Sequence, residues 1–175
     1  MYKKSIEISG QTLSIETGRM AKQASGSVLV TLGETVVLVA TTASKGIESD
    51  RGFLPLSVDY REKFYASGKI PGGFFKREAR PSEKEIIACR LTDRPLRPLF
   101  PKGFHAETQI AINVLSYDEE NPGDTLGTIA ASAALAISDI PWGGPVATVR
   151  VGRIDGKFIV NLENSKAEES DMEII

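Results

Sequence analysis

The chain has 175 residues, of which 41% are hydrophobic and 25% charged, and its formal net charge at pH 7 is −2. These values are those of an ordinary globular protein of one domain, or one and a fraction. No apolar run approaches the ~20 residues of a membrane span, and the N-terminus leads into an alternating strand, not the apolar core of a signal peptide. One cysteine, Cys89, excludes an internal disulfide. We therefore expect a cytoplasmic protein without a membrane partner.

The first third of the chain predicts strands joined by tight turns. Apolar and polar residues alternate before and after Gly10, which is typical of a hairpin, and a second hairpin is expected around Gly33-Glu34. Residues 36–40 are apolar without alternation, so they predict a central strand covered on both faces. The strands are expected at 5–8, 12–16, 27–32, 35–42 and 56–60.

A first helix has a clear start signal. Ser82 is a candidate N-cap and Glu85 follows three residues later, the spacing of a capping box. Pro95 disfavours helical backbone at Arg94, so we expect the helix to end nearby and residues 97–101 to be extended.

The rest of the chain alternates strands with one more helix. We expect a strand at 107–117, a helix at 124–138 with an alanine-rich face, and a hairpin of strands 146–151 and 157–160 around Asp155-Gly156. This order predicts an α+β fold in which helices pack against a mixed sheet. The chain stops within a strand-like run at 172–175, so we expect a fragment of a longer polypeptide, truncated in or near its last strands.

The most informative stretch lies between the predicted strand at 56–60 and the first helix. Phe74 and Phe75 adjoin Lys76, Arg77 and Arg80, and they follow a glycine-rich loop. Aromatic rings that stack on bases, next to cations that hold phosphates, are what a single-stranded nucleic-acid groove needs.

The positive charge of this stretch is local. Residues 69–102 contain nine basic and four acidic residues, a net charge of +5, so the rest of the chain carries −7. An acidic body with one basic segment directs an anionic ligand to one place. Two other interpretations stay open: the cations form a solvated helix face, or the two phenylalanines fill the core.

Two motifs resemble those of bacterial polynucleotide phosphorylases. They are FFKREARPSE at 74–83 and RLTDRPLRPLFP at 90–101, and the alanine-rich helix with Ile140-Pro141 also fits. The similarity covers essentially all 175 residues and is to the first of the family's two RNase PH-like core domains. It implies a fold of the ribosomal protein S5 domain 2-like type. A linker, a second core domain, and KH and S1 domains would lie outside this chain.

The resemblance also implies a function. Members of this family degrade RNA from the 3′ end with inorganic phosphate as co-substrate, release nucleoside diphosphates, and run the reverse reaction. They act in mRNA degradation as homotrimers, with Mg²⁺ or Mn²⁺ and with possible partners in an RNA-degradation complex. Carried over to this sequence, Phe74 and Phe75 would grip single-stranded RNA. Lys76, Arg77 and Arg80 would contact its backbone, and Arg90, Arg94 and Arg97 would line the path to the catalytic site.

The sequence departs from the family where the second core domain has its catalytic and metal-binding Asp, Asp-x-Lys set. The matching positions are Ala167, Glu173 and Ile175, and Asp124 stands in the phosphate-binding turn, where its charge would repel phosphate. We therefore expect no catalytic residue and no metal ligand in this chain, with the metal bound outside it.

Three hypotheses remain open from the sequence. The chain is part of a phosphorolytic exoribonuclease and supplies half of the surroundings of its active site. Alternatively, in isolation, it is a non-catalytic module for RNA binding or trimer assembly. The third, a stand-alone RNase PH-like enzyme, is disfavoured by the missing acid and lysine.

Overall fold

Most of the chain folds around one mixed sheet. The computed structural model describes residues 1–45, 52–72, 78 and 80–175. Within them the large sheet contains β1 (Tyr2–Ile8), β2 (Gln11–Thr17), β3 (Gly26–Leu32), β4 (Thr35–Ala43), β5 (Leu56–Glu62) and β6 (Thr108–Ser116). Their order is β1-β2-β3-β4-β6-β5, and only β5 and β6 are parallel. Parallel neighbours need a crossover, which helix α1 (Glu83–Leu96) supplies.

A second helix and a small sheet complete the described fold. Helix α2 (Gly123–Ala136) packs on β3, β4 and β6. The small antiparallel sheet has the order β8 (Lys157–Val160), β7 (Val151–Ile154), β9 (Glu173–Ile174). The predicted α+β class, with helices against a mixed sheet, is confirmed. Among the described helices, none has the length and apolarity needed to cross a membrane.

The predicted central strand is central but is not covered on both faces. β4 lies between β3 and β6, and Val37 and Val39 are fully buried beneath the helices. Val36, Leu38 and Ala40 point to the opposite face and are only half-buried. The prediction was wrong on that face because a continuous apolar run does not reveal which face a helix covers.

Helix α1 ends close to Pro95 as predicted, but the extended backbone predicted directly after it was wrong. Pro95 lies within the helix, which runs to Leu96 and continues as a 3₁₀ turn at Arg97–Leu99 instead of an extended segment. Leu96 is completely buried and its carbonyl accepts a hydrogen bond from Trp142 Nε1 at 3.0 Å. Because proline near a helix end removes only one backbone bond, burial of the last turn outweighs its cost.

The predicted strand 146–151 is shorter than expected. β7 begins at Val151, and the residues before it lie outside the small sheet. The backbone N–H of Val146 donates to Ser132 Oγ of α2 at 2.8 Å, and that of Arg150 donates to the Asn161 side chain at 3.4 Å. Side chains thus accept both N–H groups, while the carbonyl of Arg150 still accepts the backbone N–H of Asn161 at 2.6 Å.

Asp118 connects two loops at the end of the large sheet where α2 starts. Its carboxylate accepts hydrogen bonds from Thr35 Oγ1 at 2.9 Å and from the backbone N–H of Glu34, Glu120 and Asn121 at 3.0, 2.9 and 2.8 Å. Burial alone would raise the pKa of Asp118, but the bonds from Asn121, Glu120 and Thr35 lower it to about 2. The carboxylate therefore ties the β3–β4 turn to the connection that leads into α2.

Replacing this carboxylate tests its role. Asp118→Asn should lower the free energy of unfolding at pH 7 by about 2 kcal/mol, because the hydrogen bonds to a charged acceptor are lost. The folded pKa is depressed, so this stabilisation is present above 3.8 and disappears as pH falls through about 2. Urea unfolding of both proteins between pH 7 and pH 2 measures the difference, with exposed Glu119→Gln as the control. A difference independent of pH would contradict the assignment.

Candidate nucleic-acid interface

The chain leaves β5 for α1 at the carboxyl end of the parallel strands. β5 ends at Glu62 and α1 starts at Glu83, while β6 leads through residues 117–122 into α2. Where helices connect strands in this way, ligands tend to bind beyond the carboxyl ends of the strands. Phe74, Phe75, Lys76 and Arg77 lie outside the described residues, so their stacking and phosphate contacts stay predictions.

The start of α1 is fastened to the end of β5 by one carboxylate. The predicted capping box is confirmed: Ser82 Oγ accepts from Glu85 N at 3.2 Å and Glu85 Oε2 accepts from Ser82 N at 2.6 Å. The second oxygen of buried Glu85 accepts the backbone N–H of Glu62 at 2.9 Å. The capping residue therefore also holds the helix against the sheet, a tertiary role that the local pattern did not reveal.

A buried tyrosine lies beneath this junction. Tyr60 is fully buried and its hydroxyl donates to Glu62 at 2.6 Å, while the other oxygen of Glu62 pairs with Lys84 at 3.0 Å. Burial, followed by the charge of Glu62, raises the pKa of Tyr60. The tyrosine is therefore a neutral donor that fixes Glu62, and Lys84 is already paired and does not offer a free charge to a ligand.

Arg90 and Arg94 form an exposed pair on α1. The helix extends past both residues, so their spacing of four places them on one face. They line a groove of about 790 Å³ whose other walls are mostly apolar, from Ile87, Leu91, Pro95, residues 146–149 and Ile175. Within the described residues, neither guanidinium forms a hydrogen bond or ion pair. Two cations are thus held at the rim of an apolar groove.

The third predicted arginine of this set is engaged within the protein. Arg97 pairs with Asp93 at 2.9 Å and donates to the carbonyl oxygens of Leu54 and Leu56 at 3.1 and 3.2 Å. It fastens the end of α1 to the segment that enters β5. The spacing of Asp93 and Arg97 was a signal for this pair that the sequence reasoning missed. Arg80 is exposed and, within the described residues, has no side-chain partner.

The positions that match the family's phosphate and metal sites are bridged by an arginine. Arg150 pairs with Asp124 at 2.7 Å and also contacts Glu173, whereas Ala167 is exposed and Ile175 lines the groove beside α1. The side chains of Arg150 and Asp124 are 18% and 12% exposed. Both carboxylates are therefore engaged by a cation of the chain itself, which offsets one of their two negative charges. An arginine between the two carboxylates does not fit a divalent metal there.

Comparison with known proteins places these features in a family. Residues 9–141 match the model of the 3′ exoribonuclease family, domain 1 (RNase PH). The chain is 55% identical over 173 residues to polyribonucleotide nucleotidyltransferase of Geotalea uraniireducens, covering 99% of this chain and 25% of that protein. It is 54% identical to the enzyme of that name from Thermus thermophilus, covering 99% of this chain and 24% of that one. The chain thus spans about a quarter of the length of these relatives.

A solved structure supports the fold. The crystal structure of rice (Oryza sativa) Rrp46 matches with a TM-score of 0.64 and 18% identity, over 90% of this chain and 71% of that one. The match confirms the predicted RNase PH-like fold, and at this identity it concerns the fold alone.

The two kinds of arginine on α1 can be separated by stability. Arg97→Met should lower the free energy of unfolding by about 1–2 kcal/mol, because two carbonyl oxygens and Asp93 lose their donor. Arg90→Met, on the same helix, should change it by no more than about 0.5 kcal/mol. Urea unfolding of both variants measures the contrast, and equal effects would contradict the division between engaged and available arginines.

Proposed function

Because the chain belongs to the 3′ exoribonuclease family, we propose that it is the N-terminal RNase PH-like core domain of a phosphorolytic exoribonuclease. In the proposed reaction an oxygen of inorganic phosphate attacks the phosphorus of the last phosphodiester of RNA. The bond from that phosphorus to the 3′ oxygen of the preceding nucleotide breaks, the 3′ oxygen takes up a proton, and a nucleoside diphosphate leaves. The reverse reaction extends RNA.

The observation that carries this proposal is the pair of available arginines on α1. Arg90 and Arg94 share a face and lack an internal partner among the described residues, while the neighbouring Arg97 and Lys84 are both paired. Exposed guanidiniums favour phosphate oxygens, which they can bind through two parallel hydrogen bonds. The groove beside them therefore suits a polyanion with apolar parts, such as single-stranded RNA.

The residues predicted to contact RNA just before α1 would complete the interface. In our proposal Phe74 and Phe75 stack on bases, and Lys76, Arg77 and Arg80 contact phosphates just before α1 begins. The exposure of Arg80 and the start of α1 three residues later support this arrangement. RNA would then run from the segment before α1 along the helix toward Arg90 and Arg94. We include Arg97 only as the residue that positions the helix end.

Turnover, in our proposal, takes place on residues outside this chain. Asp124 and Glu173 are both engaged by Arg150. Within the described residues, no three His, Cys, Asp or Glu side chains are grouped as metal ligands. We propose that Mg²⁺ or Mn²⁺ binds elsewhere in a longer, homotrimeric protein, which acts in the cytoplasm on mRNA and has possible partners in an RNA-degradation complex.

The same arginine supports a second function for the chain in isolation. Because Arg150 engages both carboxylates, the chain alone would bind RNA or support assembly of the trimer without turning RNA over. The two proposals agree on the interface and differ on activity.

Removing two phosphate contacts tests the interface. Arg77→Ala with Arg80→Ala in the full-length protein should weaken binding of labelled oligoadenylate and reduce the slope of log K against log salt by about 1–2, because up to two counterion-releasing contacts are lost. Fluorescence anisotropy at several salt concentrations measures both quantities. Exposed Lys157→Ala, on the small sheet, is the control for loss of charge. Unchanged affinity and slope would indicate that these cations form a solvated face and do not contact RNA.

Activity assays test where turnover takes place. The 175-residue chain, incubated with poly(A), inorganic phosphate and Mg²⁺, should release no ADP above a control without phosphate. The full-length protein should release it under the same conditions. ADP release by the chain at a rate comparable to that of the full-length protein would overturn the assignment of catalysis to residues outside it.

A further inference from the structure

A second carboxylate, Glu78, joins the segment that leaves β5 to the segment that precedes α1. Its Oε1 accepts the backbone N–H of Phe64 at 2.7 Å, and its Oε2 pairs with Lys63 Nζ at 3.1 Å. Phe64 lies two residues beyond the end of β5, and Glu78 lies four residues before Ser82, the N-cap of α1. The two contacts therefore join the point where the chain leaves the sheet to the point where it returns toward α1.

The partner that Glu78 binds is itself rigidly placed. Phe64 begins a 3₁₀ turn, Phe64–Ser67, whose first carbonyl accepts from Lys69 N at 2.9 Å. The carbonyl of Ala66 accepts from Tyr117 N, just beyond β6, also at 2.9 Å. The turn is thus bound to the large sheet, and Glu78 is bound to the turn.

The geometry distinguishes Glu78 from Glu85. Glu85 is buried, caps α1 and joins it to Glu62, so it contributes to the fold itself. Glu78 caps no helix, and its side chain and that of Lys63 are partly exposed, at 26% and 29%. The hydrogen bond from Phe64 and the ammonium of Lys63 hold the pKa of Glu78 below its ordinary value, so the carboxylate is ionised at neutral pH.

We infer that Glu78 is a positioning residue for RNA binding: by holding Lys63 and Phe64, it fixes the segment that enters α1 and thereby the direction in which the exposed Arg80 meets the RNA backbone. The inference rests on the proposed function. The expected effect on RNA binding is opposite to that of charge alone, because a carboxylate beside phosphate-binding arginines repels RNA by its charge. Removing Glu78 should therefore weaken RNA binding, whereas charge alone predicts stronger binding.

This difference in sign makes the test sharp. In the full-length protein, Glu78→Ala should weaken binding of labelled oligoadenylate about tenfold and lower the salt slope, since mispositioned cations release fewer counterions. Glu78→Gln, whose amide oxygen can still accept from Phe64 N–H, should have an intermediate effect. Glu83→Gln removes one negative charge nearby from an exposed residue, and it should leave affinity unchanged or slightly raised.

Three results decide the inference. Binding by Glu78→Ala that is equal to or tighter than that of the unaltered protein, as for Glu83→Gln, would overturn it. If Glu78→Ala also lowers the urea midpoint, the test relies on Glu78→Gln, provided that its own midpoint is unchanged. If Arg77→Ala with Arg80→Ala weakens binding but the Glu78 variants do not, the inference alone fails. If the arginine variant has no effect either, the proposed function fails with it.

Discussion

The close approach of α2 to the large sheet is the constraint on which the other features depend. Ala130, Ala131 and Ala134 are fully buried, and Gly26 of β3 has no room for a Cβ atom because the carbonyl of Ala134 lies against it. At the other end of the helix, a Cβ on Gly123 would lie 2.7 Å from the Tyr60 hydroxyl. Small residues at both ends therefore allow the helix to lie directly on the strands, and any larger side chain would push it away. A buried hydrogen bond of 2.9 Å between Thr92 and Thr128 then fixes α1 to α2.

This packing determines which face of α1 is available to a ligand. Ala88, Thr92 and Leu96 point inward, so Arg90 and Arg94 must point elsewhere, toward the groove. The proposed interface thus depends on apolar contacts that are not part of it. The charge distribution favours the same side of the molecule for an anionic ligand. The segment 69–102 carries +5 and the remainder −7, so an anion is attracted to the α1 side. Within that segment Lys84 and Arg97 are neutralised by internal partners, which leaves fewer free cations than the sequence count indicates.

The sequence predicted those features that depend only on residues close together in the chain. The capping box of Ser82 and Glu85 and the shared face of Arg90 and Arg94 follow from helix geometry, and the structure has both. The passage of α1 through Pro95 was not predictable, because burial of Leu96 and the bond from Trp142 are tertiary. Arg97 looked equivalent to Arg90 in the sequence, yet only Arg97 meets carbonyl oxygens from a segment 41 to 43 residues away. Charge and spacing indicate which residues can bind a ligand, whereas the fold decides which are already occupied.

The network of Asp124, Arg150 and Glu173 shows how the chain accommodates two neighbouring carboxylates. An uncompensated, partly buried carboxylate is costly and repels other anions, so Asp124 without a cationic partner would oppose folding. The Arg150 guanidinium bridges the start of α2 and β9, and it offsets one of the two negative charges without an ion from solvent. A cation supplied by the chain also joins the small sheet to α2. The same residue that makes the site unsuitable for a metal thus contributes to holding the two parts of the fold together.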